Sequence, residues 1–199
     1  MTELSESADT EAEANQGVTS SCAIDPEYDV FVENLAKGNV AQIFTNQSAS
    51  HALSILRNVF KFAERDVNIF SGRLDSCVYN DKELISAAKD FIIKRKGTVR
   101  VLVQDNIDTS RKESENDFLN AILSSGGNIN LTNNDHPLKN VDKHFFVSDS
   151  KAYRVELDIK ERSAVCNFND EALGAQLNNA FSSLWDIKVT PLSLSAHNA

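Results

Sequence analysis

The stretch NDKELISAAKDFIIKRKGTVRVLVQD, residues Asn80–Asp105, carries two periodicities in succession. Leu84, Ile85, Ala88, Phe91 and Ile92 recur at the spacing of a helix with one apolar stripe. Lys94, Arg95 and Lys96 complement the carbonyl end of that helix, and Gly97 supplies a stop. Val99 and the unbroken run Val101, Leu102 and Val103 then suit a strand covered on both faces. A helix feeding a doubly covered strand is the building unit of an α/β layer protein.

The alternation continues in both directions. Upstream, SASHALSILRNVFKFAERD places Leu53, Leu56, Val59, Phe60 and Ala63 on one helical stripe, and DVNIFSG reads as a short strand. Before these, DPEYDVFVENLAKG forms a helix with Tyr28, Phe31, Val32 and Leu35 on one side and Gly38 as its stop, followed by a strand in NVAQIFTN. Downstream, SENDFLNAILSSGG opens with a capping-box-like Ser114 to Asp117 and ends on Gly126-Gly127. NINLTN is the next strand. VDKHFFVSDSKAYRVELD, residues Val141–Asp158, is a strand, a tight Asp-Ser turn and a second strand; AVCNF is a last strand. The closing helix, NDEALGAQLNNAFSSLWDI, points Leu173, Leu177, Ala180, Phe181, Leu184 and Trp185 inward. Helix-length connections predict a mixed, largely parallel sheet flanked by helices, with a late antiparallel β-hairpin.

Composition sets the frame for that fold. At 199 residues and 41% hydrophobic content, one well-packed domain is expected. It covers 25–189, between a disordered acidic tail at 1–24 and a frayed end at 190–199. No apolar run approaches the roughly 20 residues that cross a bilayer, and the N-terminal stretch lacks the pattern of a secretory signal. A cytoplasmic protein with no membrane partner is the expectation. Cys22, Cys77 and Cys166 are odd in number and widely spaced, so the sequence shows neither a disulfide framework nor metal-ligand spacing. Cys77 and Cys166 read as small core residues and Cys22 as a free thiol in the arm.

The net charge of -9 is concentrated at one end. Nine acids and no Lys or Arg precede Lys37, leaving 20 acids against 20 Lys and Arg in the remainder. Beyond the local cluster Lys94-Arg95-Lys96, that balance does not indicate a nucleic-acid partner. Seven glycines form neither a GxGxxG nor a GxxxxGK loop, and no GxSxG or HExxH is present. Of the four histidines, His51, His136 and His197 read as solvated, whereas His144 lies among acids in the hairpin. Phe145, Phe146, Tyr153 and Trp185 fall in strand or helix periodicity and read as core.

Three phrases, KELISAAKDFIIKRKGTVRVLVQD, VSDSKAYRVE and NFND with LNNAFSSLWD, resemble one half of the phospholipase D superfamily. The resemblance covers about Ala41 to Ile187. In that family an H-x-K-x4-D motif runs into the hairpin turn and a G-S-x-N follows on the next strand. The family works as paired halves, one histidine attacking phosphorus and the partner's protonating the leaving oxygen, without metal or other cofactor.

Aligning Asp149 with the motif Asp sets Asp142 at the motif His and His144 at the motif Lys. Cys166, Asn167 and Asn169 then fall on the Gly, Ser and Asn positions, and Asn178 on a further family Asn, with Ala180 where the family has an acid. Taking His144 as the motif His instead places Phe146 at the Lys and Lys151 at the Asp. The His/Lys pair is broken either way. A carboxylate facing a phosphodiester repels it, and without a nucleophile no covalent phosphorus intermediate forms. No catalytic residue is expected, and Asp142, His144, Asp149, Asn167, Asn169 and Asn178 stand as members of a degenerate site.

Two other accounts of these side chains compete. Asp142, His144 and Asp149, duplicated across a dimer, form a conceivable metal set, but alternate strand residues and a turn residue rarely converge, and no metal is expected. The simpler account is structural: the aspartates serve turns and His144 pairs with a neighbour. The resemblance implies a non-catalytic phospholipase D-like module, a protein-interaction or regulatory subunit that pairs with itself and meets an unidentified protein partner. The alternatives are a diverged phosphodiesterase or nuclease using His144 with or without metal, and an effector sensor that keeps the pocket for a ligand.

Overall fold

The computed structural model describes residues 22–72, 74–104, 116–131, 138, 141, 143–187 and 190–191. Within them the helices are α1 (Pro26–Lys37), α2 (Ala49–Phe62), α3 (Ser76–Tyr79), α4 (Lys82–Ile93), α5 (Asp117–Ser124) and α6 (Glu171–Trp185). The strands are β1 (Phe44–Asn46), β2 (Asp66–Ser71), β3 (Thr98–Val103), β4 (Asn128–Leu131), β5 (Phe145–Ser148), β6 (Ala152–Asp158), β7 (Ser163–Asn167) and β8 (Thr190–Pro191). Each helix opens on a side-chain oxygen that accepts a first-turn N–H: Asp25, Ser48, Asp75, Asp81, Asn116 and Asp170. Asn116 caps α5, in place of the capping box read from Ser114, which lies outside the described residues.

The strands form one mixed sheet in the order β1-β7-β6-β5-β2-β3-β4-β8. The expectation of a largely parallel sheet holds only for β2, β3 and β4, which are joined through helices. The other five pairings are antiparallel. Two connections account for the difference. α2 does not return β2 to the side of β1; β1 lies at the far edge against β7. The chain leaving β4 re-enters the sheet beside β2, and tight turns then produce the meander β5–β6–β7, which such turns can only make antiparallel.

Period-2 alternation divides the sheet between two layers. Val67 and Ile69 of β2, Val99, Val101 and Val103 of β3, and Phe146 of β5 join Leu53, Leu56, Phe60, Phe91 and Phe118 under α1, α2, α4 and α5. Phe70, Leu102, Phe145 and Val147 face the other way and meet Phe181 of α6. The run Val101, Leu102 and Val103 is fully buried, as a strand covered on both faces must be. Phe145, Phe146 and Tyr153 are core residues, and Trp185 packs against the second layer.

Four local expectations are corrected. Ala180 is exposed; the buried small residue of α6 is Gly174, where the helix crosses the β5–β6 turn so closely that a Cβ would stand 2.6 Å from the Lys151 Cα. Thr190 and Pro191 do not fray but pair with β4, while residues 192–199 lie outside the described part. The arm is held from residue 22 onward, with Ile24 packed on the core; residues 1–21 are outside the described part. Cys22 is not a free thiol. It is bonded to Cys77 across a Cα separation of 5.3 Å, because α1 lying on α2 carries the end of the arm to α3. Cys166 is free and buried, as expected.

Candidate functional site

The β5–β6 hairpin separates two polar clusters that the sequence places close together. At its turn, Asp149 (φ 54) and Ser150 (φ 56) both adopt the left-handed conformation, and the Lys151 N–H donates to the Ser148 carbonyl at 3.0 Å. A turn with two positive φ values follows the twist of the flanking strands, and Asp tolerates this conformation better than most residues. The Asp149 carboxylate, 7% exposed, accepts the backbone N–H groups of Glu64 (2.8 Å), Arg65 (2.7 Å) and Asp66 (3.1 Å). It thereby ties the hairpin turn to the segment entering β2. Burial, and then the nearby Asp149 charge, raise the Asp66 carboxyl above its ordinary range.

Asn167 lies near this same end, level with Tyr153, and its Oδ1 accepts the Asn169 N–H at 2.9 Å. Asn178 is on α6, where its Oδ1 accepts from Asn68 Nδ2 at 2.8 Å. Arg100 completes that network: its Nε donates to Asn68 Oδ1 at 2.9 Å, and its guanidinium lies over the rings of Phe181 and Trp185. These contacts fix α6 on its face of the sheet.

His144 belongs to the opposite end of β5. It lines a cavity of about 420 Å³ between the sheet, α2 and α3, at the carboxyl ends of β2 and β3. Open α/β sheets place ligand clefts outside the carboxyl ends of parallel strands. The described candidates therefore do not share one cleft. His144 is at the cavity, Asp149, Asn167 and Asn169 lie toward the other end of the hairpin, and Asn178 is on α6, bonded to Asn68. Asp142, His136 and His197 lie outside the described residues. His51 is stacked on Tyr28 with ring centroids 3.7 Å apart.

A chain of hydrogen bonds fixes the His144 ring. Nδ1 lies 3.2 Å from Glu156 Oε2, and Nε2 lies 2.9 Å from Gln104 Oε1. Gln104 directs its oxygen at the ring because its amide nitrogen donates to the carbonyls of Leu138 and, at 2.8 Å, Val141. Each ring nitrogen thus faces an oxygen acceptor held in place by its own partners. The second Glu156 oxygen accepts from Arg154 Nη1 at 2.9 Å, and Arg154 Nε donates to Asn46 Oδ1 at 2.9 Å. Burial alone would raise the Glu156 carboxyl; the bond from His144 and the charge and bond of Arg154 outweigh it and hold the group below its ordinary range. Gly72 makes room for the ring, since a Cβ there would stand 2.6 Å from His144 Cε1. At the cavity rim, Arg162 (φ 53) donates to Asp75 Oδ2 at 2.8 Å, joining the β6–β7 turn to the cap of α3.

Gln104, Arg154, Glu156 and Asn46 were not singled out from sequence. One trace of them was readable: Arg154 and Glu156 occupy alternate positions on the strand face that also carries Ala152, where an apolar residue would be the ordinary choice. Among the described residues no group of three or more His, Cys, Asp or Glu side chains gathers to hold a metal, and no helix is long and apolar enough to cross a membrane.

A family model described as "Domain of unknown function (DUF7931)" matches residues 47–195. The chain belongs to this family. No curated protein matches its sequence. Among solved structures, the chain is similar to TrmBL2, an archaeal chromatin protein, with a TM-score of 0.54 and 13% identity, covering 84% of this chain and 62% of that one. It is also similar to phosphatidylserine synthase of Haemophilus influenzae Rd KW20, with a TM-score of 0.46 and 12% identity, covering 75% of this chain and 39% of that one. The chain spans less than two thirds of the length of either.

Proposed function

We propose that this protein is a non-catalytic module of phospholipase D-like type, a protein-interaction or regulatory subunit that pairs with a second copy of itself. The observation that carries this reading is the double engagement of His144. A histidine that attacks phosphorus needs an unprotonated nitrogen directed into open space, and here each ring nitrogen meets a fixed acceptor. The cations of the cavity are committed as well: Arg154 to Glu156 and Asn46, Arg162 to Asp75. A site for an anionic transition state needs cations to spare.

The archaeal chromatin protein is described as showing a mode of DNA binding. Here the acids and bases beyond the arm balance, so a protein partner is favoured over a nucleic acid. The acidic arm adds a segment able to engage a basic partner.

A second reading draws on the His144–Glu156 pair inside a cavity at the strand ends: a diverged phosphodiesterase with His144 as its base. One experiment separates the two. Purified protein is incubated with bis(p-nitrophenyl) phosphate and with single-stranded and duplex DNA. The module reading expects no turnover above buffer and a dimer by light scattering. Hydrolysis that His144→Ala abolishes in a folded protein establishes the enzyme, and a monomer refutes the pairing.

A further inference from the structure

The bonded pair Cys22–Cys77 joins parts of the molecule that differ in kind. Cys22 stands three residues before Asp25, the cap of α1, where the acidic arm meets the fold. Cys77 lies in α3, a helix of one turn whose Asp75, Val78 and Tyr79 line the His144 cavity. The bond therefore links the root of the arm to a wall of the candidate site.

Two properties set it apart from a permanent staple. A chain of 199 residues with this core does not need a disulfide to fold, unlike small secreted domains. Both cysteines are half-buried, within reach of a small thiol, whereas Cys166 is fully buried and burial pushes its thiol up to about 12. Apart from the bond, α3 is held by Val78, buried in the core, by the Tyr79 ring packed on Phe118 with centroids 5.2 Å apart, and by two polar ties. Asp75 caps its first turn, and the Asp75–Arg162 pair is exposed to water on both sides.

We propose that Cys22–Cys77 is a reversible thiol–disulfide latch that couples the hold of the N-terminal arm to the wall of the His144 cavity. The co-reactant is a small-molecule thiol such as glutathione. Its thiolate attacks one sulfur of the bond, forms a mixed disulfide and releases the other cysteine; a second thiolate then resolves the mixed disulfide. Two electrons pass to the protein, two protons end on Cys22 and Cys77, and the small thiol leaves as its own disulfide. Oxidation runs the same steps in reverse. This proposal is independent of whether the cavity binds or catalyses.

The test equilibrates the full chain in buffers running from oxidised to reduced glutathione, followed by denaturing alkylation and intact mass. The expected result is a change from one alkylated thiol to three within that range. Across the same transition, cleavage by a Glu-specific protease after Glu27 rises severalfold, and hydrogen exchange at residues 74–80 accelerates. The melting temperature falls by about 10 °C, from the loop-closure entropy of the 55-residue separation. Cys22→Ser should give two alkylated thiols, and the cleavage and exchange of the reduced protein, in every buffer. Three thiols at every ratio, or one at every ratio, overturns the proposal. So does a thiol transition that leaves cleavage and exchange unchanged.

Discussion

Glu156 Oε2 lies 3.2 Å from His144 Nδ1, across the β5–β6 pairing in which the Glu156 N–H donates to the His144 carbonyl at 2.9 Å. Backbone and side chain thus bind the same two residues twice, and the second Glu156 oxygen extends the link to Arg154. One carboxylate sets the orientation of both the imidazole and the guanidinium at the cavity.

Replacing Glu156 by Gln keeps the volume and removes the charge. Hydrogen bonds to charged groups contribute about 1.5–3 kcal/mol, so the variant should lose stability on that scale at neutral pH. The folded state holds this carboxyl below its ordinary range. Its contribution is therefore complete above the unfolded value and disappears as pH falls through the lowered folded one. Melting temperatures of wild type and Glu156→Gln should differ most near neutrality and converge in acid.

Asp149 supports three backbone donors at once. Asp149→Ala leaves them without an acceptor and puts an unsuited residue at φ 54, and should cost about 2–4 kcal/mol. Asp149→Asn keeps one acceptor oxygen and tolerates the same φ, so it should lose less. Urea denaturation of both variants orders the two effects; equal losses would refute the three-donor account.

Gly72→Ala tests the packing of the imidazole. The new methyl would stand 2.9 Å from His144 Nε2 and must displace the ring from Gln104. The expected result is a shift of the His144 imidazole resonances and a loss of stability that is smaller when His144 is already Ala. Additive losses in that double-mutant cycle would show that the two residues do not touch.

Arg100 anchors α6 through Asn68 and through the rings of Phe181 and Trp185. Arg100→Lys keeps a cation but lacks the planar fork and its Nε donor. It should lower stability by about 1 kcal/mol and change the emission of Trp185, the single tryptophan of the chain. Unchanged fluorescence would place the cation elsewhere.

Much of this architecture was legible along the chain. The helical stripes over α2 and α4, the double-sided run of β3 and the Asp149–Ser150 turn each express a local rule, because side-chain period and turn chemistry act over a few residues; in α1 the stripe is only partly buried, with Phe31 left exposed. The function of Asp149 as a structural acceptor also agrees with what Asp commonly does in turns. The sheet order was not legible at the β1 edge or at β5, since pairing direction depends on where a connection re-enters the sheet.

The candidate site shows the same division. The pattern around Val141–Asp158 singled out His144 and Asp149 as neighbours in sequence, and four strand residues place them at opposite ends of β5. The partners of the His144 ring are Glu156 on β6, 12 residues away, and Gln104 just past the end of β3, 40 residues away, and only the register of the sheet brings them to one ring. By itself, then, the sequence determined the elements, the buried stripes and the histidine of interest, because those follow from local periodicity and residue chemistry. The tertiary structure decided which acceptors surround that histidine, which helix Cys22 reaches and where the cavity opens, because each depends on contacts between segments that no local spacing encodes.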